Sequence, residues 1–170
     1  GKPVLQTDIQ IWDDQDQPVA IGMEGQIVLK GPQVMKGYWN MPEETQQAII
    51  NGYFKTGDVG KILDDGFVKI VDRLKDMIIV SGFNVYPNEV EEVLTRHPAI
   101  LEAAVIGQDD GKTGESVCAY ITVNTELASE DVIRHCREEL TNYKVPKQVV
   151  FMDELPKSTV GKILRRELRQ

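Results

Sequence analysis

The hydrophobic pattern of this 170-residue chain changes character near Asp72, and that change limits the folds open to it. Before it, short alternating runs are separated by turn residues. Val59–Leu63 and Phe67–Val71 flank Asp64-Asp65-Gly66, a hairpin signal because such turns need residues that accept positive φ. Residues 4–12 set Leu5, Ile9 and Ile11 against Gln6, Asp8 and Gln10, which reads as a strand. Gln26–Lys30 reads as another, and Glu43–Asn51 as a short helix stopped by Gly52. The first 71 residues are therefore expected to be mostly short antiparallel strands.

Strand and helix alternate beyond Asp72. Met77–Val80, Leu101–Ile106, Val117–Val123 and Gln148–Met152 read as strands. Pro87 opens a helix, with Val90, Val93, Leu94 and His97 on one face and His97 placed to meet the helix dipole. Ser129 is expected to cap a second helix, with Val132, Ile133, Cys136 and Leu140 inward. Ile163–Arg169 reads as a closing helix. The expected class is α+β: hairpins over 1–73, then a compact domain over 74–170 with a central sheet flanked by helices. No Gly/Ser linker marks the junction, which falls near Asp72–Lys75.

Charge narrows the functions. A net charge of −8 argues against nucleic acid as a partner. The exception is the end of the chain, where Lys157, Lys162, Arg165, Arg166 and Arg169 face one acid, Glu167. That cluster is either a solvated surface or a docking face for a phosphorylated ligand or an acidic domain. Cys118 and Cys136 lie in apolar patterns without CxxC spacing, so buried thiols in a reducing compartment, the cytosol, are expected, and zinc is not. No run reaches the roughly 18 apolar residues of a membrane helix. The opening residues show no signal-peptide pattern and read as the middle of a longer polypeptide.

Two segments imitate ligand sites. Asp13-Asp14-Gln15-Asp16-Gln17 lacks the glycine and distal glutamate of a calcium loop and reads as a hairpin turn. Gly107–Thr113 has three residues between its glycines where a phosphate loop has four, and a strand follows it where a helix should. Three others carry more. In Tyr53-Phe54-Lys55-Thr56-Gly57-Asp58 a carboxylate is fixed before a strand, able to accept from two adjacent ribose hydroxyls. Asp72-Arg73-Leu74-Lys75-Asp76 places an arginine at the domain junction, and Ser81-Gly82-Phe83 follows the next strand. Pro156-Lys157-Ser158-Thr159-Val160-Gly161-Lys162-Ile163 sets a lysine on a loop bounded by proline and glycine, placed to reach a phosphate or carboxylate.

In this order the segments resemble the adenylate-forming superfamily of acyl-CoA synthetases, luciferases and peptide-synthetase adenylation domains. Residues 53–58 resemble its TGD motif, 72–91 its hinge motif and 156–163 its PKxxxGK motif, while Gly31–Trp39 resembles the segment before TGD. The stretches VDRLKDMIIVSGFNVYPNEVEEV and ELPKSTVGKILRREL look most like bacterial long-chain fatty-acid–CoA ligases. The resemblance implies ATP, a fatty acid and CoA as substrates, AMP as a product, and Mg2+ held by residues upstream of Gly1. It implies that Asp58 and Arg73 bind nucleotide, that Lys75 is the hinge, that Lys162 is catalytic in adenylation, and that Ser81, Gly82 and Phe83 line the CoA path. It further implies residues 1–73 as the end of a large β-barrel subdomain and 74–170 as a mobile lid. A chain of this extent is expected to be inactive alone, and peripheral association with the inner membrane would come through a lipid substrate. An adenylation domain feeding a carrier protein and a non-catalytic nucleotide- or CoA-binding module are the competing readings.

Overall fold

The computed structural model describes residues 1–169. The chain divides between Lys75 and Asp76 into two compact units. Both are built on sheets, and the class is α+β.

The first unit holds β1 (Asp8–Trp12), β2 (Gly25–Lys30), α1 (Pro42–Ala48), β3 (Ile49–Ile50), β4 (Tyr53–Ile62) and β5 (Val68–Arg73). All its strand pairs are antiparallel, with β4 taking β2 on one side and β3 and β5 on the other. The β4–β5 hairpin closes as expected over Asp64-Asp65-Gly66: the Leu63 N–H donates to Phe67 O at 2.8 Å and the Gly66 N–H to Leu63 O at 2.8 Å. In the acidic turn, Asp13 Oδ1 accepts from the N–H groups of Gln15 and Gln17, each at 2.9 Å. Its carboxylate is thus turned onto the backbone of its own loop.

Strand β4 starts at Tyr53 where Val59 was expected, so Thr56-Gly57-Asp58 lie within the strand and not before it, and two further boundaries differ from the sequence reading. The first strand starts at Asp8, because Gln6 sits at φ 63° and breaks the run. The helix stops at Ala48, because Ile49-Ile50 leave it to pair with Phe54 and Tyr53 across Asn51-Gly52, at φ 52° and 80°. A β-branched pair followed by Asn-Gly favours a hairpin over one more helical turn.

The second unit holds β6 (Ile78–Val80), β7 (Phe83–Val85), α2 (Pro87–Thr95), β8 (Ile100–Asp110), β9 (Gly114–Val123), α3 (Ser129–Glu139) and β10 (Gln148–Phe151). Strand β9 is central. It pairs antiparallel with β8 along its length, parallel with β10 over 118–121, and with β6 at Gly114. The Gly107–Thr113 stretch is the end of β8 and the turn into β9, with Asp110 opposite Gly114.

Period-two alternation along β8 and β9 builds two cores. Ala103, Val105, Val117, Ala119 and Ile121 face α2 and α3, meeting Val90, Leu94, Val132 and Cys136. Ala104, Ile106 and Cys118 face the other way and are covered by Leu155 and Leu168, with Ile163 packed against them. Both helices therefore lie on one face, and the C-terminal segment covers the second. Fully burying a residue such as Leu155 contributes about 2 kcal/mol.

The expected closing helix is a single 3-10 turn, Arg165–Glu167. A bridge between Lys157 and Ile163 holds Ile163 extended, and the Leu164 N–H donates to Pro156 O at 2.8 Å, so few residues remain before buried Leu168. The N-cap of α3 is Ala128, without a side-chain bond, and Ser129 is the first helical residue. His97 lies beyond α2, where its Nδ1 accepts from the Ala99 N–H at 3.2 Å and its ring meets His135 edge-on. Cys118 and Cys136 are buried free thiols, and burial pushes Cys136 up to about 11, which suppresses the thiolate and its reactivity.

The first unit buries only Ile11, Trp12, Ile27, Val28 and Val59 among its apolar side chains, while Leu5 is 94% and Trp39 89% exposed. Its core is thin beside that of the second unit. Both tryptophans, Trp12 and Trp39, report on it. In urea, the tryptophan fluorescence transition should precede loss of far-UV ellipticity, and coincident midpoints would reject unequal stability of the units. A second expectation concerns acid. Lys147, with its ammonium 2.7 Å away, and the Lys112 N–H hold the Asp110 carboxyl at about 2, below its ordinary 3.8. The pair's stabilisation is complete above pH ~4 and is lost as pH falls through ~2. Asp110→Asn should lose less melting temperature than the parent between pH 5 and 2 by calorimetry.

Candidate functional site

In the first unit the TGD segment lies in β4 at an irregularity. Gln26 pairs with Val59 but Val28 with Lys55, so Thr56-Gly57-Asp58 form a bulge opposite Ile27. The bulge is held by one hydroxyl. Thr56 Oγ1 donates to Ile27 O at 2.8 Å and accepts from the Asp58 N–H at 3.1 Å. Bulges re-aim side chains, and here Asp58 stands directly across from Arg73 on β5. Arg73 Nε donates to Asp58 Oδ1 at 2.8 Å, with Arg73 the more exposed partner. The fold thus joins these two predicted residues into a partly exposed carboxylate–guanidinium pair. At the start of the same strand, the Tyr53 hydroxyl donates to Asp8 and accepts from Gln10 Nε2 at 2.7 Å, which anchors the segment to β1. The Asp8 bond, with burial, raises the Tyr53 pKa. Lys75 is exposed in the 3-10 turn Leu74–Asp76, at the junction of the units.

In the second unit, Ser81 and Gly82 form the two-residue turn of the β6–β7 hairpin, at φ 51° and 83°. Positive φ at both centres matches the right-handed twist of the strands. The Ser81 N–H donates to Thr113 O at 2.8 Å, which fixes the tip against the β8–β9 turn. Phe83 remains half exposed and stacks on Tyr143 with ring centroids 4.8 Å apart. Lys144 lies 5.9 Å over the Tyr143 ring and bonds both Glu89 oxygens at 2.7 Å. A partly exposed aromatic pair of this kind can take a planar or apolar group.

Lys162 sits on a second tight turn. The Ser158 N–H donates to Lys162 O at 2.8 Å and the Gly161 N–H to Ser158 O at 2.9 Å. Gly161 has φ 79°, in the left-handed region where a Cβ costs roughly 1 kcal/mol. This is the same three-residue hairpin loop as at Asp64-Asp65-Gly66, and it projects Lys162 into solvent. Among the described residues, no ion pair involves the Lys162 ammonium. Its neighbours do pair: Lys157 Nζ lies 2.8 Å from Glu102, which raises the Lys157 pKa, and Arg165 lies 2.7 Å from Glu91.

The strand parities put the two loops of the second unit on opposite faces of its sheet. Phe83 shares a face with Val80 and Val85, which belong to the core under the helices. The Lys162 hairpin is laid against the other core by Ile163. Among the described residues, no group of three His, Cys, Asp or Glu side chains is placed to hold a metal. No described helix is long and apolar enough to cross a membrane. Tyr143 and Lys144 escaped the sequence reading. Their one signal is an aromatic–lysine pair after a helix, closed by Val145-Pro146.

A family described as AMP-binding enzyme C-terminal domain matches residues 89–162, and AMP-binding enzyme matches residues 1–39. The chain belongs to the adenylate-forming, AMP-binding enzyme family. Over 99% of its length it is 52% identical to a long-chain-fatty-acid–CoA ligase of Yersinia pestis, of which it spans 30%. It is 44% identical over its full length to a 2-succinylbenzoate–CoA ligase of Bacillus cereus (strain Q1), spanning 35% of it. Its fold superposes on ATP-bound MatB from Rhodopseudomonas palustris with a TM-score of 0.94 at 37% identity, covering 99% of this chain and 34% of that one. The chain thus spans about a third of the length of its relatives.

The Thr56 hydroxyl makes a structural expectation. Thr56→Val keeps the shape but strands the Ile27 carbonyl and the Asp58 N–H. It should lower the stability read by tryptophan fluorescence in urea by about 1–2 kcal/mol.

Proposed function

We propose that the chain is the C-terminal part of an ATP-dependent acyl-CoA ligase acting on a long-chain fatty acid. In the first half-reaction, a carboxylate oxygen attacks the α-phosphorus of ATP. A P–O bond forms to the acid, the bond to pyrophosphate breaks, and acyl-adenylate results. In the second, the sulfur of CoA attacks the acyl carbon. A C–S bond forms, the C–O bond to AMP breaks, and the thiol proton goes to solvent.

The observation that carries this reading is the two-faced second unit. Lys162 and Phe83 lie on opposite faces of one sheet, so a single orientation of that unit presents one and turns the other away. Two successive chemistries at one centre need such an exchange, because an ammonium held at the phosphate would obstruct an incoming thiol. Lys162 supplies the charge for adenylation. Ser81, Gly82 and Phe83, with Tyr143 alongside, line the path of CoA. Asp58 accepts from the ribose hydroxyls while Arg73 steadies it and meets the nucleotide. Lys75 absorbs the rotation, as a few residues at an element's end can. In this reading residues 1–73 end a large domain and residues 74–170 form its mobile lid. The exposed apolar residues of the first unit, Leu5 and Trp39 among them, are the surface that preceding chain covers. The two buried thiols favour the cytosol as the place of reaction. Magnesium enters no step assigned to these residues.

A long-chain acid is favoured over an aromatic one by the higher identity to the ligase that carries that name, 52% against 44%. Pyrophosphate exchange by the full-length protein across fatty acids and 2-succinylbenzoate tests the substrate, and preference for the aromatic acid would overturn it. The role of Lys162 has its own test. A charge-stabilising donor of this kind is worth roughly 2–4 kcal/mol. Lys162→Ala should therefore slow adenylation ~30- to 1,000-fold and leave thioester formation from preformed acyl-adenylate within about threefold. Equal losses in both halves would reject the assignment.

A further inference from the structure

The segment that carries Lys162 has little backbone structure of its own. Beyond the hairpin it offers one 3-10 turn. Its position is set by the buried side chains of Leu155, Ile163 and Leu168 and by two arginines. Three residues past Lys162, Arg165 forks onto Glu91 of α2, with Nε to Oε1 at 2.9 Å and Nη2 to Oε2 at 2.7 Å. Its Nη2 also donates to Asn88 Oδ1 at 2.6 Å. Glu91 Oε1 in turn accepts from the Val105 N–H at 2.8 Å, so the fork is tied through α2 to strand β8.

The same guanidinium reaches Asp76, with Nη1 3.5 Å from Oδ2, while Arg169 Nη2 lies 3.2 Å from Oδ1. Asp76 is the first residue of the second unit, immediately after Lys75. Its side chain is 15% exposed and that of Arg165 18%, so these charges are screened less than surface pairs. A carboxylate whose two oxygens are held by Arg165 and Arg169 fixes the point where the hinge enters the unit.

We propose that Arg165, Arg169 and Asp76 form a clamp that joins the exit of the hinge to the Lys162 hairpin, with Arg165 as its positioning residue. This rests on the reading of Lys162 and Lys75 given above. Rotation absorbed at Lys75 then reaches Lys162 without slack, because Asp76, α2 and the C-terminal segment move as one body. Arg165 touches no reacting atom. It acts by holding Lys162 in register with the hinge. Only a planar fork can grip Glu91 in two places and extend to Asp76, so lysine in its place keeps the charge and loses the geometry.

The test uses the full-length enzyme and separate half-reaction assays on Arg165→Lys, Asp76→Asn, Lys162→Ala and the double variant Arg165→Lys/Lys162→Ala. A misplacement near 1 Å can cost on the order of 100-fold. Arg165→Lys and Asp76→Asn should each slow adenylation ~10- to 100-fold in kcat, with little change in the KM for ATP and thioester formation from preformed acyl-adenylate within about threefold. The double variant should adenylate no more slowly than Lys162→Ala alone, since a positioning residue has nothing left to position. Asp76→Asn is nearly isosteric, and its melting curve separates lost registry from lost fold. Multiplicative losses in the double variant would overturn the clamp, as would normal adenylation by both single variants. Normal adenylation by Lys162→Ala would instead overturn the reading of Lys162 on which the clamp rests.

Discussion

The β8–β9 ladder is the constraint on which the second unit depends. Eleven and ten residues long, these strands are apolar on both faces, and neither face can be left to water. Helices α2 and α3 satisfy one side. No described helix covers the other, and the last part of the chain comes back across Ala104, Ile106 and Cys118. That return path places the Lys162 hairpin. The position of that hairpin is therefore a consequence of parity: Val105 and Ile106 point opposite ways because strands alternate.

Hairpins and helices were legible where local signals agreed. Asp64-Asp65-Gly66 announced its turn, and the spacing of Val90, Val93 and Leu94 announced α2. Errors arose where two signals competed. Ile49-Ile50 continued a helical pattern yet preceded Asn51-Gly52, and the turn prevailed because cross-strand pairing with β4 rewards it. Ile163–Arg169 has helical spacing and good helix formers. Its start is nonetheless spent on a bridge to Lys157, a tertiary contact that propensity does not register. The loop at Ser158–Lys162 repeats the hydrogen bonding of the Asp64-Asp65-Gly66 turn, but without an Asp-Gly step it read only as a loop bounded by proline and glycine.

The candidate site was legible as motifs and not as geometry. Asp58 and Arg73 are fifteen residues apart, and only the β4–β5 register with its bulge makes them a pair. Ser81-Gly82-Phe83 read as a strand running into a loop, without the hairpin to β7. The ring partner of Phe83, Tyr143, arrives from beyond α3, and nothing in the order of residues foretells that stack. The basic cluster near the end offered two readings, and the structure divides it. Lys157, Arg165 and Arg169 are engaged by Glu102, Glu91 and Asp76, while Lys162 extends into water.

The return of the C-terminal segment across the second face has a bearing on synthesis. The strip formed by Ala104, Ile106 and Cys118 stays wet until the ribosome has released the residues through Leu168, so this unit finishes folding only when the Lys162 hairpin exists. A message that ends early yields a polypeptide with a bare apolar seam, the kind of surface that chaperones and proteases recognise. Completeness of the segment that carries Lys162 is thereby checked by the same contacts that close the core.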